Sequence, residues 1–468
     1  MPEPSDRRLS DMRAPLQIWK AANRLARRCL SGESAPFPTA PPGTPGAFPD
    51  LALRPEGRPL DEVLRAMGDV MDATPSSSNP RFLNQLFGGR IPVAVAADVC
   101  ALMANTSMYT FKAAGAQVLV ENEVLRRMTA LAGFIDGEGT FTPGGSMANL
   151  LAMLLARNTR FPEARDQGLA PGRAVAYTSA EAHYSIRKNA GILGLGRASV
   201  RFVATGPDGT MDPAALDANV ERDLADGRVP FFVNATAGTT VRGAFDPLPA
   251  IGDVAARHGL WFHVDGALGA ALLLSPGRRA LLAGVERADS LAWNPHKMMG
   301  VALQTSVLLL RKRGLLAANL DETADYLFQA HSDDFNPGHR SLQCGRRNDA
   351  FRLWAAWAHL GDEGWARRLD RQLDLARHAA ERIASDPALE LVEPPPSIDV
   401  CFSVRGADSR SICDRLDREG RLKIGYGEIN GRNAIRLVCV NPDLPPEWID
   451  RVLDEIKRAA FEPDPARP

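Results

Sequence analysis

The sequence predicts an α/β protein: a mostly parallel central sheet in a large domain, a smaller C-terminal α/β domain and an N-terminal helical arm. Three observations predict it. Between about residues 140 and 312, short apolar runs alternate with amphipathic helical stretches. Those runs are continuously apolar, as in strands covered on both faces. After about residue 345 helical stretches return, followed by two further strand-like runs and a last helix. The divisions expected are 1–90 for the arm and its proline-rich connector, 91–345 for the large domain and 346–468 for the small one.

Each element has its own signal. "LQIWKAANRLARRCL" reads as a short amphipathic helix of a packed arm, and "ESAPFPTAPPGTPGAF" as an irregular connector rich in proline and small residues. "PLDEVLRAMGDVMDAT" and "GAQVLVENEVLRRMTALAGF" are helical stretches. The expected strands of the large domain are "AVAYTS", "VRFVAT", "PFFVNA", "LWFHVD", "SLAWN" and "TSVLLLR". The helix "DPAALDANVERDLADG" opens with Asp-Pro and closes at Gly227, and "DPLPAIGDVAARHG" carries an early proline and closes at Gly259. In the small domain "IDVCFSVRG" and "AIRLVCVNP" read as strands and "PEWIDRVLDEIKRAAF" as the last helix.

Composition narrows the function. The 468 residues are 45% hydrophobic and 24% charged, enough for a large core. A net charge of −1 supplies no basic field for nucleic acid. No apolar run reaches the roughly 18–20 residues of a membrane span, and the start lacks the apolar core of a secretion signal. The six cysteines form no C-x-x-C pair, which suits reduced thiols in a cytoplasm. No cysteine–histidine cluster has zinc-ligand spacing.

Four segments at strand ends hold residues that a core does not require. In "TPGGSMANLLAMLLARN", Gly144, Gly145 and Ser146 precede a strong helix, whose free N–H groups favour an anion. In "SAEAHYSIRKNAG", His183 follows a strand and opens a helix. In "WFHVDGALGA", Asp265 leaves a buried strand and requires a partner against desolvation. Gly266 and Ala267 would let a flat ring approach it. In "SLAWNPHKMMG", Lys297 follows His296 at a strand mouth, where its amine could form a Schiff base with an aldehyde. Each segment alone is commonly a turn, a cap or a solvated side chain. Together, at the carboxyl ends of a parallel sheet, they fit pyridoxal phosphate: phosphate on the glycine turn, ring nitrogen on Asp265, aldehyde on Lys297 and ring face on His183.

The chain also resembles the group II pyridoxal-phosphate-dependent amino acid decarboxylases, in particular the glutamate and cysteine sulfinate branch. The resemblance rests on "LNQLFGG", "TPGGSMANLLAM", "HYSIRKNAG", "VNATAGTTVRGAFDP", "NPHKMMG" and "YLFQ", in family order over most of residues 80–440. It implies the fold type I of pyridoxal phosphate enzymes and a homodimer with the site at its interface. It implies Lys297 as the Schiff-base lysine, Asp265 as pyridine partner and His183 as stacking ring. Gly145, Ser146, Thr239, Ala267, Asn294 and His296 then line the cofactor. Gln85, Phe87 and Arg436 correspond to substrate-contacting positions, and Tyr326 to a loop phenol that protonates Cα.

Two departures bear on the pocket. The family's Asp-Ala-Ala-aromatic-Gly is here Asp265-Gly266-Ala267-Leu268-Gly269, and Arg90 stands where neither branch carries a cation. The activity implied is α-decarboxylation of an amino acid, with an acidic one (aspartate, cysteine sulfinate, cysteate or glutamate) favoured. Alternatives are decarboxylation with oxidative deamination to an aldehyde, a non-acidic substrate such as 2,4-diaminobutyrate, and a non-catalytic scaffold. "GILGLG" is not a G-x-G-x-x-G dinucleotide turn.

Overall fold

The computed structural model describes residues 49–322 and 335–463, together with 18–24, 26, 27, 37 and 44. A seven-stranded sheet is built from β1 (Glu138–Thr142), β2 (Ala174–Ser179), β3 (Val200–Val203), β4 (Val229–Thr236), β5 (Trp261–Asp265), β6 (Ser290–Trp293) and β7 (Ser306–Leu310). Its order is β1-β7-β6-β5-β4-β2-β3. The run from β3 to β6 is parallel, and β7 is antiparallel to both β6 and β1. The two reversals leave β1 pointing the same way as the parallel strands. The carboxyl ends of β1, β2, β4, β5 and β6 therefore share one edge, and the glycine turn, His183, Asp265 and Lys297 all follow those ends.

A second sheet has the order β10-β11-β9-β8, from β8 (Leu389–Leu391), β9 (Asp399–Val404), β10 (Gly425–Ile429) and β11 (Arg432–Val438). All its pairings are antiparallel. The sequence indicated eight of the eleven strands. It missed β1, β8 and β10, which are short; β1 and β10 contain glycine, and β10 and β8 are the edge strands of their sheet.

The main helices are α1 (Leu60–Asp72), α2 (Pro92–Ala104), α3 (Ala116–Leu131), α4 (Gly145–Arg160), α5 (Ser185–Ile192), α6 (Pro213–Ala225), α7 (Leu248–His258), α8 (Asp349–Ser385), α9 (Ser409–Arg418) and α10 (Pro446–Phe461). Asp212 caps α6 by accepting from the Ala214 N–H at 2.9 Å. Gly259 ends α7 with a left-handed φ of 65°, as its place in the sequence predicts. α8 is interrupted at Gly361, where φ is 62°.

The core lies on both faces of the main sheet. On one face α4 buries Leu151, Ala152 and Leu155 with Phe231, Trp261 and Leu308. On the other, Val233, Val264 and Leu291 begin an apolar cluster that runs through Leu373 of α8 to Phe402 of β9 and Ile449 of α10. That continuous cluster joins the two sheets. Residues near 83 also join the second sheet: Leu83 N–H donates to Lys423 O at 2.8 Å, and Val438 N–H donates to Leu83 O at 3.1 Å.

Candidate active site

The glycine turn comes first along the chain. Gly144 has a φ of 99°, and the chain passes directly from β1 into α4. Any side chain at Gly145 would meet the Asn294 amide at 2.6 Å. Asn294 is buried, and its Oδ1 accepts from the Ser306 hydroxyl at 2.6 Å. Asn189 of α5 donates to the Ser146 carbonyl at 2.9 Å. The turn is thus fastened from both sides, and glycine at 145 is required by close approach.

Asp265 ends β5 and is buried. Its Oδ1 accepts from the Ala267 N–H at 3.1 Å, and its Oδ2 from the Asn149 amide at 2.7 Å. Asn149 lies one turn beyond Gly145 on α4. The other contacts of this amide are the Ser185 hydroxyl at 3.0 Å and His263 Nε2 at 3.0 Å. His263 precedes Asp265 by two residues, so both face the same side of β5. Its Nδ1 lies 2.8 Å from the hydroxyl of Ser290, its register partner on β6. Burial drives the His263 pKa down to about 4, so the ring is neutral.

Lys297 follows β6 in a tight turn: its N–H donates to Asn294 O at 2.9 Å, and Gly300 N–H donates back to Lys297 O at 2.9 Å. Burial pushes the Lys297 ammonium below the ordinary lysine value, against the opposing pull of Asp265 and Asp399. A lowered lysine pKa increases the neutral, nucleophilic amine. His183 sits in the same field. Burial lowers its pKa, Asp265 raises it and Lys297 lowers it. Its Nδ1 accepts from the Ser185 N–H at 3.3 Å.

His296 is buried, with Nδ1 held 2.6 Å from the Thr305 carbonyl and its pKa lowered by burial to about 4. Thr239 is buried, and its hydroxyl accepts from the Ala244 N–H at 3.0 Å, closing its own loop. Arg436 of β11 donates to the Thr240 carbonyl and, at 2.6 Å, to the Asn84 carbonyl. It therefore ties the Thr239 loop to the segment carrying Gln85 and Phe87. Gln85 is exposed, and the half-buried Phe87 packs its ring 6.1 Å from that of Phe82.

Some expectations change. The absent Cβ of Gly266 points at Leu291 and Ala270, 2.8 and 2.9 Å away, so this glycine serves core packing and does not admit a ring. Leu268 is also buried, against Gly238. Arg90 donates to the hydroxyls of Ser78 and Ser76, at 2.5 and 3.3 Å. Tyr326 lies outside the described residues.

The sequence reading overlooked four site residues. Asn149 and His263 could have been found by period: one helical turn from Gly145, and two strand positions from Asp265. Gln372 of α8 bridges the site: its amide donates at 2.7 Å to both the Met298 and Val440 carbonyls. Asp399, in what reads as an apolar strand, is buried with neither carboxylate oxygen hydrogen-bonded. Burial raises its pKa to about 7, although Arg436 and Lys297 both pull it down.

These residues fit pyridoxal phosphate. A cradle narrow enough to exclude a Cβ opens α4, buried Asp265 ends β5, and the half-buried Lys297 follows the adjacent β6. Comparison with known proteins agrees. Residues 47–405 match the pyridoxal-dependent decarboxylase conserved domain. The chain is 42% identical over 433 residues to cysteine sulfinic acid decarboxylase of Mus musculus, covering 87% of each. It is 38% identical over 430 residues to an acidic amino acid decarboxylase of Bos taurus, covering 87% of this chain and 82% of the relative. The crystal structure of mouse CSAD superposes with a TM-score of 0.91 at 38% identity, covering 96% of this chain and 99% of that one. The chain belongs to the pyridoxal-dependent decarboxylase family, and it is an amino acid decarboxylase with pyridoxal phosphate as cofactor.

Proposed function

We propose that this decarboxylase acts on an acidic amino acid, giving the amine and carbon dioxide, as a cytoplasmic homodimer. The observation that carries the reading is the convergence, at one edge of the sheet, of the Gly145 turn, the buried Asp265 that ends β5 and Lys297 after the adjacent β6. Similarity to cysteine sulfinic acid and acidic amino acid decarboxylases supports the substrate class.

Bound pyridoxal phosphate supplies an aldehyde for amine capture and a protonated ring that draws electrons from Cα. The protein does the rest. Lys297 would hold the cofactor at its aldehyde, as the amine a substrate amine would displace. The Asp265 carboxylate keeps a proton at the pyridine nitrogen. His183 would cover the ring face. Gly145 and Ser146 offer N–H groups to the phosphate, with Asn294 and His296 beside them, and Thr239 and Ala267 border the ring. Tyr326 delivers a proton to Cα after carbon dioxide departs. Gln85, Phe87 and Arg436 bound the substrate side chain. Arg436 spends two of its five N–H donors on Thr240 and Asn84, and those that remain suit a carboxylate or sulfinate.

The dimer is supported by α1, which buries none of its residues. Leu60, Val63, Met67, Val70 and Met71 are exposed along it. With Ala22, Ala26 and Leu51 several of them line an open apolar cavity of about 700 Å³. An apolar surface of this kind marks an interaction face. Among the described residues no helix is long and apolar enough to cross a membrane.

Borohydride treatment of the holoenzyme followed by peptide mapping tests the reading. The cofactor should be fixed on Lys297, and carboxyl-labelled substrate should release labelled carbon dioxide. Cofactor fixed on another lysine would refute the assignment.

A further inference from the structure

We propose that Asn149 and His263 are positioning residues for Asp265, the last links of a one-way hydrogen-bond line that runs from Trp261 through Ser290. The line rests on the reading of Asp265 as the pyridine partner. Its contacts are Trp261 Nε1 to Ser290 Oγ at 2.8 Å, Ser290 Oγ to His263 Nδ1 at 2.8 Å, His263 Nε2 to Asn149 Oδ1 at 3.0 Å and Asn149 Nδ2 to Asp265 Oδ2 at 2.7 Å. All five residues are buried.

The direction follows from Asp265. An ionised carboxylate only accepts, so the Asn149 amide nitrogen must face it. The carbonyl end of that amide then faces His263, which must donate from Nε2. A neutral imidazole that donates from Nε2 accepts at Nδ1, and the Ser290 hydroxyl supplies that proton. Trp261, which can only donate, fills the Ser290 oxygen. Burial keeps the imidazole from charging and donating at both nitrogens. Turning the Asn149 amide over would put its oxygen against the Asp265 carboxylate, a contact that only a protonated Asp265 could make. With Asp265 as acceptor, the Asn149 amide orientation and the His263 tautomer are therefore set together.

The second Asn149 proton goes to Ser185 Oγ at 3.0 Å, two residues after His183. One amide thereby orients the Asp265 carboxylate and braces the segment that carries His183. The other titratable groups facing Asp265 are His183 and Lys297.

The test uses holoenzyme variants: His263→Leu, which can neither donate nor accept, His263→Gln, which can do both, Asn149→Ala and Asp265→Ala. Folding is checked by near-ultraviolet circular dichroism. His263→Leu should weaken cofactor affinity and lower kcat by about 10–100-fold, the scale of outer-layer partners at metal sites. The pH at which the visible cofactor band changes should move with it, while substrate KM stays near wild type. His263→Gln should recover most of both. If His263→Leu does not fold, Asn149→Ala carries the same expectation. Folded His263→Leu or Asn149→Ala with the wild-type band, affinity and kcat would overturn the line, provided Asp265→Ala is severely impaired. A silent Asp265→Ala would instead refute the reading of Asp265 itself.

Discussion

Lys297 and Asp399 show two opposite consequences of burial. For Lys297, desolvation favours the neutral amine that the chemistry requires. Lys297→Ala should leave no lysine at this position to trap cofactor with borohydride, and turnover should fall by roughly 10²–10⁴-fold or more. Intact-mass analysis and steady-state rates measure both; near-wild-type turnover would contradict the role. Asp399 carries a penalty instead. Its pKa rises from 3.8 to about 7 on folding. Below about pH 4 both states are protonated and the group contributes nothing. As pH rises toward 7 the unfolded chain releases the proton first, so stability is lost, and above 7 the full penalty remains. Asp399→Asn should therefore stabilise the cofactor-free protein at pH 8, by up to about 4 kcal/mol on the scale of 1.36 kcal/mol per unit. The gain should shrink at pH 5. Thermal melts at both pH values check it, and an equal gain at both would contradict the assignment. At this scale the sequence revealed residues whose chemistry was out of place, such as Asp265 after an apolar run. It concealed Asp399, because one carboxylate inside "IDVCFSV" does not disturb the pattern of a strand.

Elements place these residues. The parallel strands were legible because apolar runs bounded by helices admit few arrangements. β1 was not, since Glu138 and Gly139 leave "EGTFT" without a continuous apolar run, and its place is fixed by pairing with β7. That pairing sets the glycine turn at the same edge of the sheet as Lys297, so the position of the turn is a tertiary fact. Gly145→Ala tests the cradle. The added methyl meets Asn294 at 2.6 Å, and cofactor affinity should fall about tenfold, equivalent to about 1.4 kcal/mol; fluorescence titration of the apoenzyme measures it. α8 holds the lysine turn to the end of β11 through Gln372. Gln372→Leu would leave the Met298 and Val440 carbonyls without that donor and should cost about 2–6 kcal/mol, given 1–3 kcal/mol for each of the two unsatisfied buried groups. Denaturant unfolding checks it, and a change under about 0.5 kcal/mol would contradict this role.

Across the whole molecule, the two sheets share one apolar cluster while α1 keeps its apolar side outside it. The sequence marked α1 as a helix but could not show which face finds a partner within the chain, because amphipathic patterning is the same whether the apolar stripe packs inward or against a second copy. Met67→Asp with Val70→Asp should shift the protein from dimer to monomer in light scattering at micromolar concentration and leave the monomer folded. A dimer of unchanged affinity would place the interface elsewhere.

The central claim is the reaction and its substrate class. Purified holoenzyme supplied with equal concentrations of aspartate, cysteine sulfinate, glutamate, 2,4-diaminobutyrate and an aromatic amino acid, with products followed by mass spectrometry, tests it most directly. The account predicts that amines from the acidic members accumulate first, with the shorter acids ahead of glutamate, as the proposed placement of Phe87 beside the substrate side chain requires. Preferential conversion of 2,4-diaminobutyrate or the aromatic amino acid, or release of aldehyde in place of amine, would contradict it.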